Sequence, residues 1–149
     1  MESLFIGPNR RDVATPCFEQ AVLFQSQGKY ERALMMYKQS LDLWIEDHGP
    51  DNSIVASTYN NMASVYNAQG KFEEALALYK KSLDIRKEVH GPDHSSVATS
   101  FNNMANVFEA QGSYHNALAL HKKSLAINIK VPYIYLPRVH GPYHIPPTT

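Results

Sequence analysis

The block from residue 49 to residue 90, GPDNSIVASTYNNMASVYNAQGKFEEALALYKKSLDIRKEVH, occurs again almost unchanged directly after itself. Sliding the chain by 42 positions superposes Gly49 on Gly91, Asn61 on Asn103, Gly70 on Gly112, Ala75 on Ala117 and Leu83 on Leu125. Roughly 24 of the 42 aligned positions are identical, and a fixed period between 20 and 50 residues is the mark of a solenoid or array. A weaker copy precedes them, with Gly7 and Pro8 under Gly49 and Pro50, Gly28 under Gly70 and Ala33 under Ala75. The chain therefore divides into an extension at 1–6, a degenerate repeat at 7–48, repeats at 49–90 and 91–131, and a proline-rich tail at 132–149. Three units is about the minimum at which stacked repeats bury enough apolar face to be stable.

Each repeat reads as a helical hairpin. In the second, Asp51 and Ser53 are N-cap candidates, and Val55, Tyr59, Met62 and Tyr66 fall four, three and four residues apart, one apolar stripe on a helix over about 53–69. Gly70 closes that helix. Phe72, Ala75, Leu76, Tyr79, Ser82 and Leu83, widened by Leu78, Ile85 and Val89, draw a second stripe over about 73–89. A stripe that broad implies contact with two neighbours. Glu73, Lys80, Lys81, Asp84, Lys87 and Glu88 form the solvated face. In the first repeat Pro16 stands where the others have Thr58 and Ser100, so that helix is expected to start late or kink. After Val131 the prolines at 132, 137, 142, 146 and 147 are expected to end the array, although HGPYH at 140–144 copies HGPDH at 90–94. With no polar capping helix after it, the third hairpin is expected to expose apolar surface and to offer a route to self-association.

Composition excludes several classes of function. Fourteen Lys and Arg balance fourteen Asp and Glu, so no net field draws the chain to nucleic acid or anionic lipid. The single Cys17 makes no internal disulfide, and no stretch reaches the roughly 20 apolar residues of a membrane span, which points to a cytoplasmic protein. His90 with His94, and His140 with His144, have zinc-like spacing but lack a second ligand pair; turn and cap chemistry explains them, and no metal or other cofactor is expected. Gly28-Lys29 and Gly70-Lys71 lack the rest of a phosphate loop, Cys17 reads as a packed thiol and Trp44 as core. Nothing assembles a nucleophile and base, so no enzyme activity is expected.

The spacing of Tyr59, Met62, Ala63, Tyr66, Gly70, Phe72, Ala75, Tyr79 and Ser82 resembles the tetratricopeptide pattern, and the 42-residue period, the NNMA run and the GPDH loop resemble its kinesin light chain type. The resemblance, over about residues 7–131, implies an all-α, right-handed solenoid of about three hairpins. It also implies a non-catalytic scaffold or cargo adaptor that binds extended peptides in a groove lined by the first helix of each hairpin. Carried over by position, Asn60, Asn61, Ser64 and Asn67, with Asn102, Asn103, Asn106 and Glu109, would face that groove. They also lie opposite the Val55–Tyr66 stripe, on a helix whose asparagines are poor helix formers. Asparagine amides suit a peptide backbone, yet they could equally bond one another or the neighbouring repeat. The lysines and arginine with which the related carboxylate-clamp repeats hold a terminal carboxylate are absent: Phe18, Val22, Thr99 and Asn103 occupy those positions, and Asn61 alone matches. A self-associating structural piece, or the regulatory segment of a larger signalling enzyme, is the alternative.

Overall fold

The computed structural model describes residues 10–133, and among these every regular element is a helix: α1 Arg10–Ser26, α2 Tyr30–His48, α3 Ser53–Ala68, α4 Phe72–His90, α5 Ser95–Ala110 and α6 Tyr114–Tyr133. The packing partners follow the repeat. α1 lies on α2, α3 on α4 and α5 on α6, while α2 touches α3 and α4 touches α5, which makes a stack of hairpins joined by second-helix to first-helix contacts. Residues 1–9 and 134–149, including His140 and His144, lie outside the described residues.

The local signals act largely as read. Gly70 and its counterparts at 28 and 112 sit at positive φ (76° at Gly70), the left-handed conformation that lets the chain reverse between the helices of a hairpin. Asn52 caps α3, its side chain accepting from the Ile54 amide at 2.8 Å, so the cap lies between the two residues proposed from sequence. At the matching position His94 caps α5 through Nδ1, 3.1 Å from the Ser96 amide, and its ring stacks on His90 with centroids 4.3 Å apart. That is the turn-and-cap role expected of this histidine pair.

One expectation about proline fails, that of a late or broken start to the first helix. α1 begins at Arg10 and continues through Pro16 without a break, and α6 runs to Tyr133, past Pro132. Pro16 withdraws one backbone donor, but the tertiary contacts of Ala14, Cys17 and Ala21, all buried, hold the helix across it. At Pro132 the hydrogen-bonding cost falls on the last turn, where helix ends are least constrained.

Burial follows the apolar stripes and extends them. In α3 Val55 and Met62 are buried as expected, with Tyr59 and Tyr66 half-buried; Ala56, Thr58, Ala63 and Val65 are buried too, because α3 is clasped by α2 on one side and α4 on the other. In α4 Ala75, Tyr79, Ser82, Leu83 and Ile85 are buried, whereas Val89 is exposed and does not widen the stripe. The alanines at 33, 75 and 117, one in the second helix of each repeat, are all buried. Lys80 and Asp84 pair at 3.3 Å on the solvated face, in surroundings where an ion pair contributes at most about 1 kcal/mol. Cys17 is buried beside Gln39, and Trp44 is buried in the cluster that joins the first two repeats.

Candidate functional site

The first helices α1, α3 and α5 lie side by side along one face of the stack, tied by side chains that reach from repeat to repeat. Gln25 of α1 donates to Ser64 of α3 at 3.2 Å, and Asn103 of α5 donates to Asn60 of α3 at 2.8 Å. Second-helix side chains join from beneath. The Tyr37 hydroxyl donates to Gln25 at 2.7 Å and is also hydrogen-bonded to Asn61, while Tyr79 is hydrogen-bonded to Ser64. The His121 ring lies 3.0 Å from both Asn102 and Glu109.

Of the eight residues proposed from sequence, six have protein partners on this face. Asn60 and Asn103 hold each other, Asn61 and Ser64 hold tyrosines of α2 and α4, and Asn102 and Glu109 hold His121. The seam between repeats that the sequence left open as an alternative is thus present. The other two differ. Asn67 is half-buried and its Oδ1 has no hydrogen-bond partner, and Asn106 is exposed. A buried amide oxygen without a partner costs roughly 1–3 kcal/mol, and Asn67 carries that cost near the end of α3.

At one end of the same face the character changes. Phe18 occupies the place in α1 that Asn60 and Asn102 occupy in α3 and α5, and it stacks edge-on against Tyr37 with centroids 5.5 Å apart. With Thr15, Ser53, Ile54 and Ser57 it surrounds a mostly apolar cavity of about 360 Å³ into which Trp44 also faces. The indole Nε1 of Trp44 has no partner. Sequence reading found Trp44 as core but missed the cavity. The signal was Phe18 breaking the asparagine pattern, and it means something only once α1, α2 and α3 are seen to meet there. In the next repeat Arg86 takes the place of Trp44, and its guanidinium donates to Ser100 Oγ at 2.8 Å and to the Ser96 carbonyl at 3.3 Å, closing the equivalent junction with polar bonds. Burial lowers the Arg86 pKa from its ordinary value.

Burial pushes the Tyr37 and Tyr79 hydroxyls above their ordinary value of 10.0, against a smaller opposing effect of the hydrogen bonds to Asn61 and Ser64. Unfolding restores the ordinary value, so above it the unfolded chain loses protons that the folded chain retains, and the equilibrium moves toward unfolding. This contribution to stability is full below about pH 10 and lost as pH rises through the folded values. Thermal melts taken from about pH 9 upward are expected to fall more steeply for the intact chain than for a Tyr37→Phe, Tyr79→Phe variant.

No three acidic, histidine or cysteine side chains among the described residues gather as a metal site, and no described helix is long and apolar enough to cross a membrane. What the described residues build is an all-α stack of two-helix repeats with a polar face on its first helices. The tetratricopeptide repeat model matches residues 12–84 and 54–130, and the chain belongs to that family. Repeats of this family are, as a class, protein-interaction scaffolds. No curated protein sequence gives a significant match. Among solved structures, BtubC (BKLC) from P. vanneervenii superposes with a TM-score of 0.74 at 25% identity, over 93% of this chain and 52% of that one. A putative kinesin light chain of nearly identical TPR-like repeats from Podosopora anserina gives 0.68 at 21% identity, over 79% and 56%. The N-terminal domain of stress-induced protein-1 from C. elegans gives 0.63 at 22% identity, over 81% and 88%. The chain thus spans a little over half the length of the first two.

Proposed function

We propose that the chain is a non-catalytic scaffold that takes up an extended peptide along the α1/α3/α5 face, with an apolar side chain of the peptide in the Phe18–Trp44–Ile54 cavity. The observation that carries this reading is the apolar cavity beside Phe18, at the end of a first-helix face whose polar side chains bond from repeat to repeat. An extended backbone offers one N–H and one C=O per residue to such a face, while a pocket for one side chain supplies selectivity. The asparagines bonded within the seam hold the face rigid, so less freedom is lost when a ligand docks. The likeness to kinesin light chain repeats supports a cargo-adaptor role within this reading, in the cytoplasm and without cofactor, nucleic acid or membrane.

Peptides selected from a displayed random library on the intact chain are the direct test. Ser57→Arg places a long side chain at the cavity wall, and Asn67→Asp turns the unpartnered amide into an anion; Ser57 is exposed, and both variants are to be checked for helicity by circular dichroism. Binding measured by calorimetry is expected to weaken at least about tenfold in each, equivalent to about 1.4 kcal/mol. Selected peptides that bind both variants as tightly as the intact chain would place recognition elsewhere.

A further inference from the structure

The junction between repeats occurs twice inside the stack, and among the described residues both of its halves also stand uncovered, one on α1 and the other on α6. On the first-helix side, α3 buries Val55, Thr58, Met62 and Val65 at spacings of three, four and three, and Val55, Met62 and Val65 share a core cluster with Tyr37, Leu41 and Trp44 of α2. α5 presents Val97, Ser100, Met104 and Val107 to α4 in the same way, and the Arg86 bond to Ser100 marks the contact directly. The same four places in α1 are Val13, Pro16, Gln20 and Leu23, and all four are exposed; Leu23 is 55% accessible where Val65 and Val107 are 0%. On the second-helix side, Leu41 and Leu83 are 7% and 6% accessible beneath the following repeat, but their counterpart Leu125 on α6 is 57% accessible. Tyr114 and Leu118 stand exposed on the same stripe of α6.

The internal junctions also show what such a stripe is covered by, namely a first-type helix with mostly apolar side chains spaced three, four and three. Among the described residues, the one first-type helix whose stripe remains uncovered is α1. The two ends depart from the inner pattern at matching places. Tyr37 and Met62 belong to one core cluster, and Tyr79 and Met104 to another. Position 37 becomes His121 on α6, and position 62 becomes Gln20 on α1. Stacking α1 of one chain on α6 of another would therefore set a polar group against a polar group where the inner junctions set an aromatic against methionine, and would leave Val13 and Leu23 against Leu118 and Leu125.

We propose that a second copy of this chain docks its α1 stripe on the α6 stripe, so that the chains associate head to tail and continue the internal junction between molecules. The contact joins two different surfaces, so each added chain leaves one free end of each kind for the next. This inference is independent of the peptide reading, since it uses the ends of the stack and none of the cavity residues.

Sedimentation measured over a wide range of protein concentration separates the arrangements. The intact chain is expected to rise with concentration to more than twice its 16.8 kDa single-chain mass. Leu125→Glu spoils α6, Leu23→Glu spoils α1, and both positions are exposed, so each variant folds and each alone is expected to stay a single chain. Mixed in equal amounts, the two variants retain one good surface each and are expected to form pairs of two chains that grow no further. An intact chain that stays single at every concentration overturns the proposal. So does a Leu23→Glu variant that assembles as well as the intact chain, which would indicate symmetric α6-to-α6 pairing, and so does a mixture that fails to pair.

Discussion

Tyr37→Ala is expected to lower the free energy of unfolding by about 3–5 kcal/mol, the range for truncating a large buried aromatic, out of the roughly 5–15 kcal/mol typical of folded domains. Tyr37 is wholly buried, touches Phe18 edge-on, donates its hydroxyl proton to Gln25 on α1 and accepts from Asn61 on α3. Its ring belongs to the core of the first hairpin and its hydroxyl to the seam between repeats. Tyr37→Phe keeps the ring and removes only the hydroxyl, leaving Gln25 and Asn61 short of a partner, and should cost about 1–3 kcal/mol. Urea unfolding of the two variants side by side reads the ratio. If Phe costs as much as Ala, polar bonding and not aromatic packing holds the first two repeats together.

Trp44→Ala should also cost about 3–5 kcal/mol, but with a different signature. Trp44 packs at the junction of the first and second hairpins, whereas Ala33 and Tyr37 also serve contacts inside the first. In a linear array stability is close to a sum of repeat and junction contributions, so loss of one junction uncouples its neighbours instead of weakening every unit equally. Hydrogen exchange is therefore expected to speed up first at amides of α1 and α2, while α3 to α6 keep most of their protection. Uniform acceleration over all six helices would show the stack to be a single cooperative unit. Trp44→Phe is the control: the indole Nε1 has no partner to lose, so this change should cost no more than the lost ring volume.

The family and the element order were legible because the same junction is built twice. Whatever residue pattern lets one hairpin stack on the next must recur at a fixed spacing, and Val55 with Val97, Ala75 with Ala117 and Leu83 with Leu125 show that recurrence in the bare sequence. Turn glycines were legible for a local reason, since a left-handed backbone excludes most other residues. Pro16 misled for the complementary reason. Proline's cost is local and fixed, but whether a helix survives it depends on contacts made by other residues, here Ala14, Cys17 and Ala21.

The candidate site was legible only as a set of residues on one face. Period and helical geometry place Asn60, Asn61, Ser64 and Asn67 together, but an amide can serve a neighbour or a ligand with the same atoms. The offset between α3 and α5 decides that Asn103 meets Asn60, and the depth of α2 beneath α3 decides that Asn61 meets Tyr37. Sequence by itself determined the repeat, the hairpin and the family, because these follow from short-range periodicity within the chain. Tertiary structure alone decided which polar groups are spent on the seam, that Asn67 is left over, that Phe18 and Trp44 enclose a cavity, and that Leu23 and Leu125 end up facing outward. Each of those outcomes depends on distances between helices, and identical residues at equivalent positions, such as Leu83 and Leu125, differ only in whether another helix lies over them.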